Sequence, residues 1–170
     1  SSKLIKNQQY EINTETAREI GVITNPLETG YESVKSTPVY ISAETRFYND
    51  MCDAGGTSEV FGRQKISISQ KSMNSWPQPG GDISFVNKYF FSEPVIEGKK
   101  FYLFSKPFIF PYKIADLIIF TSSTSQYCFI NSPPEVERTI EGLQQDNVRI
   151  NNCTKSSTKV CFNSYSGTNC

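Results

Sequence analysis

The sequence contains no histidine. Imidazole is the side chain that titrates near neutral pH. Its absence excludes Ser-His-Asp and Cys-His catalysis, and histidine-based zinc, copper and non-haem iron sites. An excess of either charge is also missing, since Lys+Arg and Asp+Glu number 17 each. A neutral chain lacks the basic field that displaces counterions from nucleic acid, so no nucleic-acid partner is expected. No apolar run is long enough to span a bilayer. The nearest, Phe101 to Phe120, carries Lys106, Lys113, Asp116, Pro107 and Pro111. No C-x-x-C pair occurs, which removes zinc ribbons and thioredoxin-type redox motifs. Internal repeats, low-complexity tracts and linker composition are absent. No cofactor and no metal is expected.

What the chain has is aromatic residues, at 13% of its 170 positions. That length suits one domain of ordinary size. Such a domain buries about 70% of the surface of its extended chain, enough for a core that does not depend on crosslinks. Many aromatics and no net charge are the opposite of the disordered signature. The chain opens on Ser1-Ser2 without Met, which is expected of a trimmed start with a signal or anchor before it.

The cysteines are Cys52, Cys128, Cys153, Cys161 and Cys170, four of them late in the chain. That clustering predicts a stapled C-terminal region formed in an oxidising compartment, with one thiol left over. Reduced thiols in a cytosolic protein are the alternative. If residues 147–150 and 158–162 pair as a hairpin, Cys153 and Cys161 sit nearly opposite, within disulfide reach in a favourable register. Cys128 bridged to Cys161 or to Cys153 is the rival. Asn152-Cys153-Thr154 fits the glycosylation acceptor triplet, in competition with a disulfide at Cys153.

Periodicity predicts an α+β fold: a mainly antiparallel sheet, an N-terminal helix, and one helix in a C-terminal strand–helix–strand unit. Residues 1–11 are polar, a stalk or a frayed end, and residues 12–170 form a single domain. Ile12, Thr16, Ile20, Ile23 and Leu27 fall near one helical face, and Asn25-Pro26 ends or kinks that helix. Strands are expected at 38–42, 65–69, 83–91, 100–105, 114–121 and 126–130, with 46–52 leading into the Asp53–Gly56 turn. Trp76–Gly81 is the clearest loop, and Glu97-Gly98 and 122–125 are turns. Ser132 can cap a helix with Pro133 in its first turn, and Val136, Ile140 and Leu143 give it one apolar face. A strand at 148–150 follows.

Several groupings carry candidate chemistry, and each has a plainer reading. Asn49, Asp50 and Asp53 around Gly55-Gly56 could hold Ca²⁺, yet lack EF-hand spacing and fit an Asx-rich turn. Gly98-Lys99 lacks the glycine spacing of a phosphate loop; Lys99 and Lys100 suit the solvated end of a hairpin. Two acids from Asp82, Glu93, Glu97 and Asp116 could serve glycoside chemistry, though solvated carboxylates are the commoner case. Asp116 interrupts an apolar run, so a partner is expected for it, Arg46 or Lys113. The aromatics of 101–120 form either a binding platform, if exposed, or a packed core; core packing is the expectation.

Taken in order, Asn25–Thr29, Glu44–Asn49, Phe61–Ser67, Tyr102–Phe108, Pro111–Ile118, Tyr127–Phe129 and Lys159–Phe162 resemble an uncharacterised family of small proteins of DPANN-type archaea. The resemblance spans about residues 20–165. It implies one N-terminal membrane helix, missing here, then an outward-facing domain. Residues 1–11 would be the rest of a juxtamembrane stalk. The family carries no activity to transfer, so no catalytic residue is assigned.

The expected function is therefore a non-enzymatic, extracellular, membrane-tethered surface domain with a structural or interaction role, one form being a pilin-like filament subunit. Self-association or binding to other surface proteins would supply its partners. The alternatives are a carboxylate-dependent hydrolase of cell-envelope glycans and a cytosolic adaptor with reduced cysteines.

Overall fold

The structure, a computed structural model, describes residues 36–50, 63–80 and 83–162. Six strands form the main sheet: β1 (Thr37–Asp50), β2 (Arg63–Gln70), β3 (Ile83–Val86), β4 (Lys88–Phe91), β5 (Val95–Ile109) and β6 (Lys113–Ser122). Their order is β3-β2-β1-β5-β6-β4. All neighbours are antiparallel except β4, which runs parallel to β6. The sheet curls. Asn49 of β1 is buried and its Nδ2 donates to the Phe90 carbonyl at 3.1 Å and to Ser92 Oγ at 3.0 Å. That joins β1 to β4, which stands three strands away in the order.

The core lies on the concave face. Alternation along each strand sends one set of side chains inward. Phe47 of β1, Phe101 of β5 and Phe120 of β6 meet there on three adjacent strands. Phe47 stands edge-on to both partners, at 4.8 and 4.9 Å between ring centroids, and Phe101 stacks on Phe120 at 5.4 Å. These are the offset and T-shaped geometries that ring quadrupoles favour. Val39, Ile66, Ile68, Phe90, Ile96, Leu103 and Ile118 complete the cluster.

The second layer is a strand–helix–strand unit extended by one strand. It comprises β7 (Tyr127–Ile130), α1 (Pro134–Gly142), β8 (Val148–Ile150) and β9 (Thr158–Cys161). Both β8 and β9 run parallel to β7 and flank it. The expected hairpin between 147–150 and 158–162 is therefore corrected. The crossover through α1 puts β8 on one edge of β7 and leaves the other edge with open N–H and C=O groups. The returning chain fills that edge.

Other expectations also change. The N-terminal helix falls outside the described residues. The strand expected over 83–91 breaks at Asn87, whose φ is 56°. Glu97-Gly98 is not a turn but lies within β5. Gly98 packs so tightly there that an added Cβ would lie 2.9 Å from Ser122 Oγ. Across from it, β1 bulges between Tyr40 and Thr45. Helix α1 starts after Pro133, with no side-chain cap from Ser132; its acidic first turn, Glu135 and Glu137, still complements the dipole.

Two adjacent residues fasten this unit to the main sheet. Asn147 is fully buried and its Nδ2 donates to the carbonyls of Ser122 and Ser125 at 3.0 and 3.1 Å. Asp146 accepts from the buried Tyr102 hydroxyl and from Lys100 Nζ at 2.9 Å. The Tyr102 hydroxyl first, and then the Lys100 ammonium, hold the Asp146 carboxyl below its usual range. A depressed carboxyl adds stability above the unfolded carboxyl value of about 4 and loses it as pH falls through the lower folded value. Asp146→Asn should cost about 1 kcal/mol at pH 7, because the carboxylate is largely exposed and water screens it. The cost should shrink toward zero at pH 2.5. Urea unfolding at the two pH values measures both; an equal cost at each would show that the contact is not ionic.

Candidate functional site

The β5–β6 hairpin outruns the core. Ser105 is the last fully buried residue of β5, and Asp116 and Ala115 are the first buried ones of β6. Between them the chain exposes large apolar side chains in close succession. Phe110 is 75% exposed, Tyr112 73%, Ile109 61%, and Phe108 47%. Ile114 adds a partly exposed fifth. Exposed tips normally carry small or polar residues. The apolar surface here is on the order of 500 Å², at the top of what a monomer usually leaves open. The turn stays tight through the Phe110 N–H, which donates to the Tyr112 carbonyl at 2.9 Å.

The base of this tip is basic. Lys113 Nζ lies 2.9 Å from Asp116 Oδ1, off the line of a proper hydrogen bond. Asp116 is thus paired within its own strand by Lys113, while Arg46 takes Glu97. Lys88 on β4 stands opposite Asp116, and Lys106 on β5 stands opposite Leu117. Alternation places Lys88 and Lys106 on opposite faces of the sheet. No acid occurs between Glu97 and Asp116. Farther down the outer face, Phe91 and Ile119 are paired in register and both exposed.

The remaining candidates are committed to holding the fold. Glu97 receives Arg46 Nε at 2.7 Å, and the guanidinium lies 4.0 Å over the Trp76 ring. This ion pair raises the Arg46 pKa from an already high value. Glu93 lies 3.3 Å from both the Tyr127 hydroxyl and Ser125 Oγ. Burial, and then the Glu93 charge, push the Tyr127 hydroxyl pKa up. Asp82 is outside the described residues, so three of the four proposed acids have known surroundings, each with its own partner. Asn49 closes the curl as described. The Asp50 side chain and Asp53 are outside the described residues. Lys99 sits within β5 beside the bulge, and Lys100 is the ammonium bound to Asp146. Among the described residues no three His, Cys, Asp or Glu side chains gather as a metal site. No helix of the described residues is long and apolar enough to cross a membrane.

A disulfide joins Cys128 to Cys153, with Cα atoms 5.5 Å apart. The opposed pairing of Cys153 with Cys161 is therefore corrected, because β7 separates the two strands that would have carried it. Cys161 is also disulfide-bonded. Cys52 and Cys170 lie outside the described residues. Asn152 is exposed, at a φ of 53°, beside the half-cystine. It borders a depression of about 570 Å³ lined by Ile130, Asn151, Cys153, Thr154, Lys155 and Lys159. A smaller one, about 290 Å³, is lined by Glu44, Lys71, Lys99 and their neighbours. Lysine 71 bonds Glu44 at 2.8 Å and lowers its carboxyl pKa. Both depressions are polar.

The aromatic-rich segment 101–120 thus divides. Phe101, Tyr102 and Phe120 are buried, whereas Phe108, Phe110 and Tyr112 are exposed. Core packing was expected throughout. The available signal was the pair Pro107 and Pro111, which punctuates the apolar run together with Lys106 and Lys113.

The disulfide closes a sequence separation of 25 residues around α1 and β8. Loop-closure entropy for that length is about 3–4 kcal/mol. Replacing Cys128 and Cys153 together by Ala should lower the unfolding free energy by that amount, read from urea titrations. The double variant should keep the main-sheet circular dichroism. No family model, curated protein or solved structure matches the chain.

Proposed function

We propose that this chain is a non-enzymatic, extracellular, membrane-tethered surface domain with a structural or interaction role, and that the β5–β6 hairpin is its contact region. The observation that carries this reading is the succession Phe108, Ile109, Phe110 and Tyr112 at an exposed tip. Burial of that surface against something else is the simplest physical reason to keep it apolar. The Cys128–Cys153 disulfide supports an oxidising location. A pilus-like assembly is one form this role takes, with repeated copies presenting the same tip.

Two measurements test the reading. Membrane-impermeant amine labelling of intact source cells should modify the surface lysines; protection of every lysine until the cells are lysed would place the chain inside. Changing Phe108, Phe110 and Tyr112 together to Ser should cost about 0.5 kcal/mol or less at Phe110 and Tyr112, which contact little of the fold, and about 1 kcal/mol at the half-buried Phe108. The same change should abolish recovery of the chain in the cell-envelope fraction or in surface assemblies. Unchanged recovery with a folded variant would remove the hairpin from the function.

A further inference from the structure

From the tip's length, chemistry and charged base together, we infer that the β5–β6 hairpin inserts into the headgroup boundary of a lipid bilayer bearing anionic lipids. The inference rests on the hairpin being the contact region and names what it contacts.

Three observations converge. The first is depth. From the Pro107–Asp116 pair, the last with a buried member on the core side, to Ile109 at the end of β5 the strand advances two residues, or roughly 7 Å at 3.4 Å each, and Phe110 follows at the turn. Interfacial elements bury their apolar side about 5–10 Å into the headgroup and acyl boundary. The second is the choice of side chains. Phe108, Phe110 and Ile109 are wholly apolar, and Tyr112 adds a ring with a polar end, the kind enriched at membrane interfaces. They stand on a convex turn whose two strands send side chains to both faces. A second copy of the chain would need an apolar concavity to seat the tip, and the two depressions described above are both polar. A fluid interface needs no matching shape.

The third is charge. Lys88, Lys106 and Lys113 occupy the base of the hairpin on three adjacent strands, beside Asp116, which pairs with Lys113. The hairpin segment between Ser105 and Asp116 holds two lysines and no acid. Lysine stems lie along apolar surface while their heads reach water or phosphate. A cationic collar behind an apolar tip therefore matches a negative headgroup layer lying above hydrocarbon. In a chain of zero formal charge, this local excess is complementary to anionic lipid and to little that is neutral.

The test uses the whole chain carrying Phe110→Trp and Trp76→Phe, so that the single tryptophan reports from the tip. Vesicles of phosphatidylcholine are compared with vesicles containing a quarter phosphatidylglycerol, at 50 and 500 mM salt. Insertion predicts flotation with the anionic vesicles and a blue-shifted tryptophan emission. Binding should be weaker on the neutral vesicles and at high salt. Lys106→Glu should weaken binding to anionic vesicles by fivefold or more, since one basic residue near such a surface is worth about fivefold. Phe108→Ser with Tyr112→Ser should weaken it at both salt concentrations, and circular dichroism confirms that each variant is folded. Flotation without the emission shift would mean that the tip stays outside the bilayer, which overturns the inference. Absence of flotation together with concentration-dependent dimers in sedimentation, lost on the Phe108 and Tyr112 changes, would overturn it in favour of a second copy and leave the contact-region reading standing. Absence of flotation with a tip that affects neither self-association nor envelope recovery would remove both.

Discussion

The contact among Phe47, Phe101 and Phe120 is the constraint on which the rest of the molecule depends. Each ring comes from a different strand, and the three strands are neighbours. Their mutual packing sets β1, β5 and β6 in register. Slipping one strand by a single residue would turn its ring to the opposite face. The polar closure by Asn49 and the tight approach of Gly98 to Ser122 follow from that register.

The same register decides what is left over. β5 has 15 residues and β6 has 10, more than the aromatic cluster can cover. Because pairing is fixed near Phe101 and Phe120, the surplus collects at the connecting end and forms the apolar tip. The middle of β5 serves the second layer. Tyr102 alternates away from the core and meets Asp146, so one strand packs rings on one face and holds the C-terminal unit on the other. The disulfide then closes that unit on itself by tying β7 to the segment after β8. The contact region and the crosslinked unit thus share a single central strand but meet it at different points along its length.

Much of the strand pattern was legible in the sequence. Ile66 and Ile68 alternate with serines, and 114–121 is an apolar run bounded by a lysine and serines; both became strands near the expected limits. Helix α1 and the strand–helix–strand unit around it were legible from Pro133 and Glu135, but the parallel pairing of both β8 and β9 with β7 was not. Gly98 misled, because glycine marks turns as readily as close packing, and only the neighbouring strand tells them apart. The cysteine pairing was open for a similar reason. Its partners depend on which edge of β7 each strand occupies, and local periodicity holds no information about edges.

The candidate site shows the division most clearly. Composition by itself determined that imidazole chemistry is absent, that the chain has aromatic surface to bury, and that lysines and prolines interrupt the segment 101–120. Tertiary structure decided which of those aromatics are inside. Burial is a property of how many strands cover a given residue, and that number is set by distant pairings. Phe101 and Phe110 have the same side chain nine positions apart in one sequence run; one is fully buried and the other stands mostly in water.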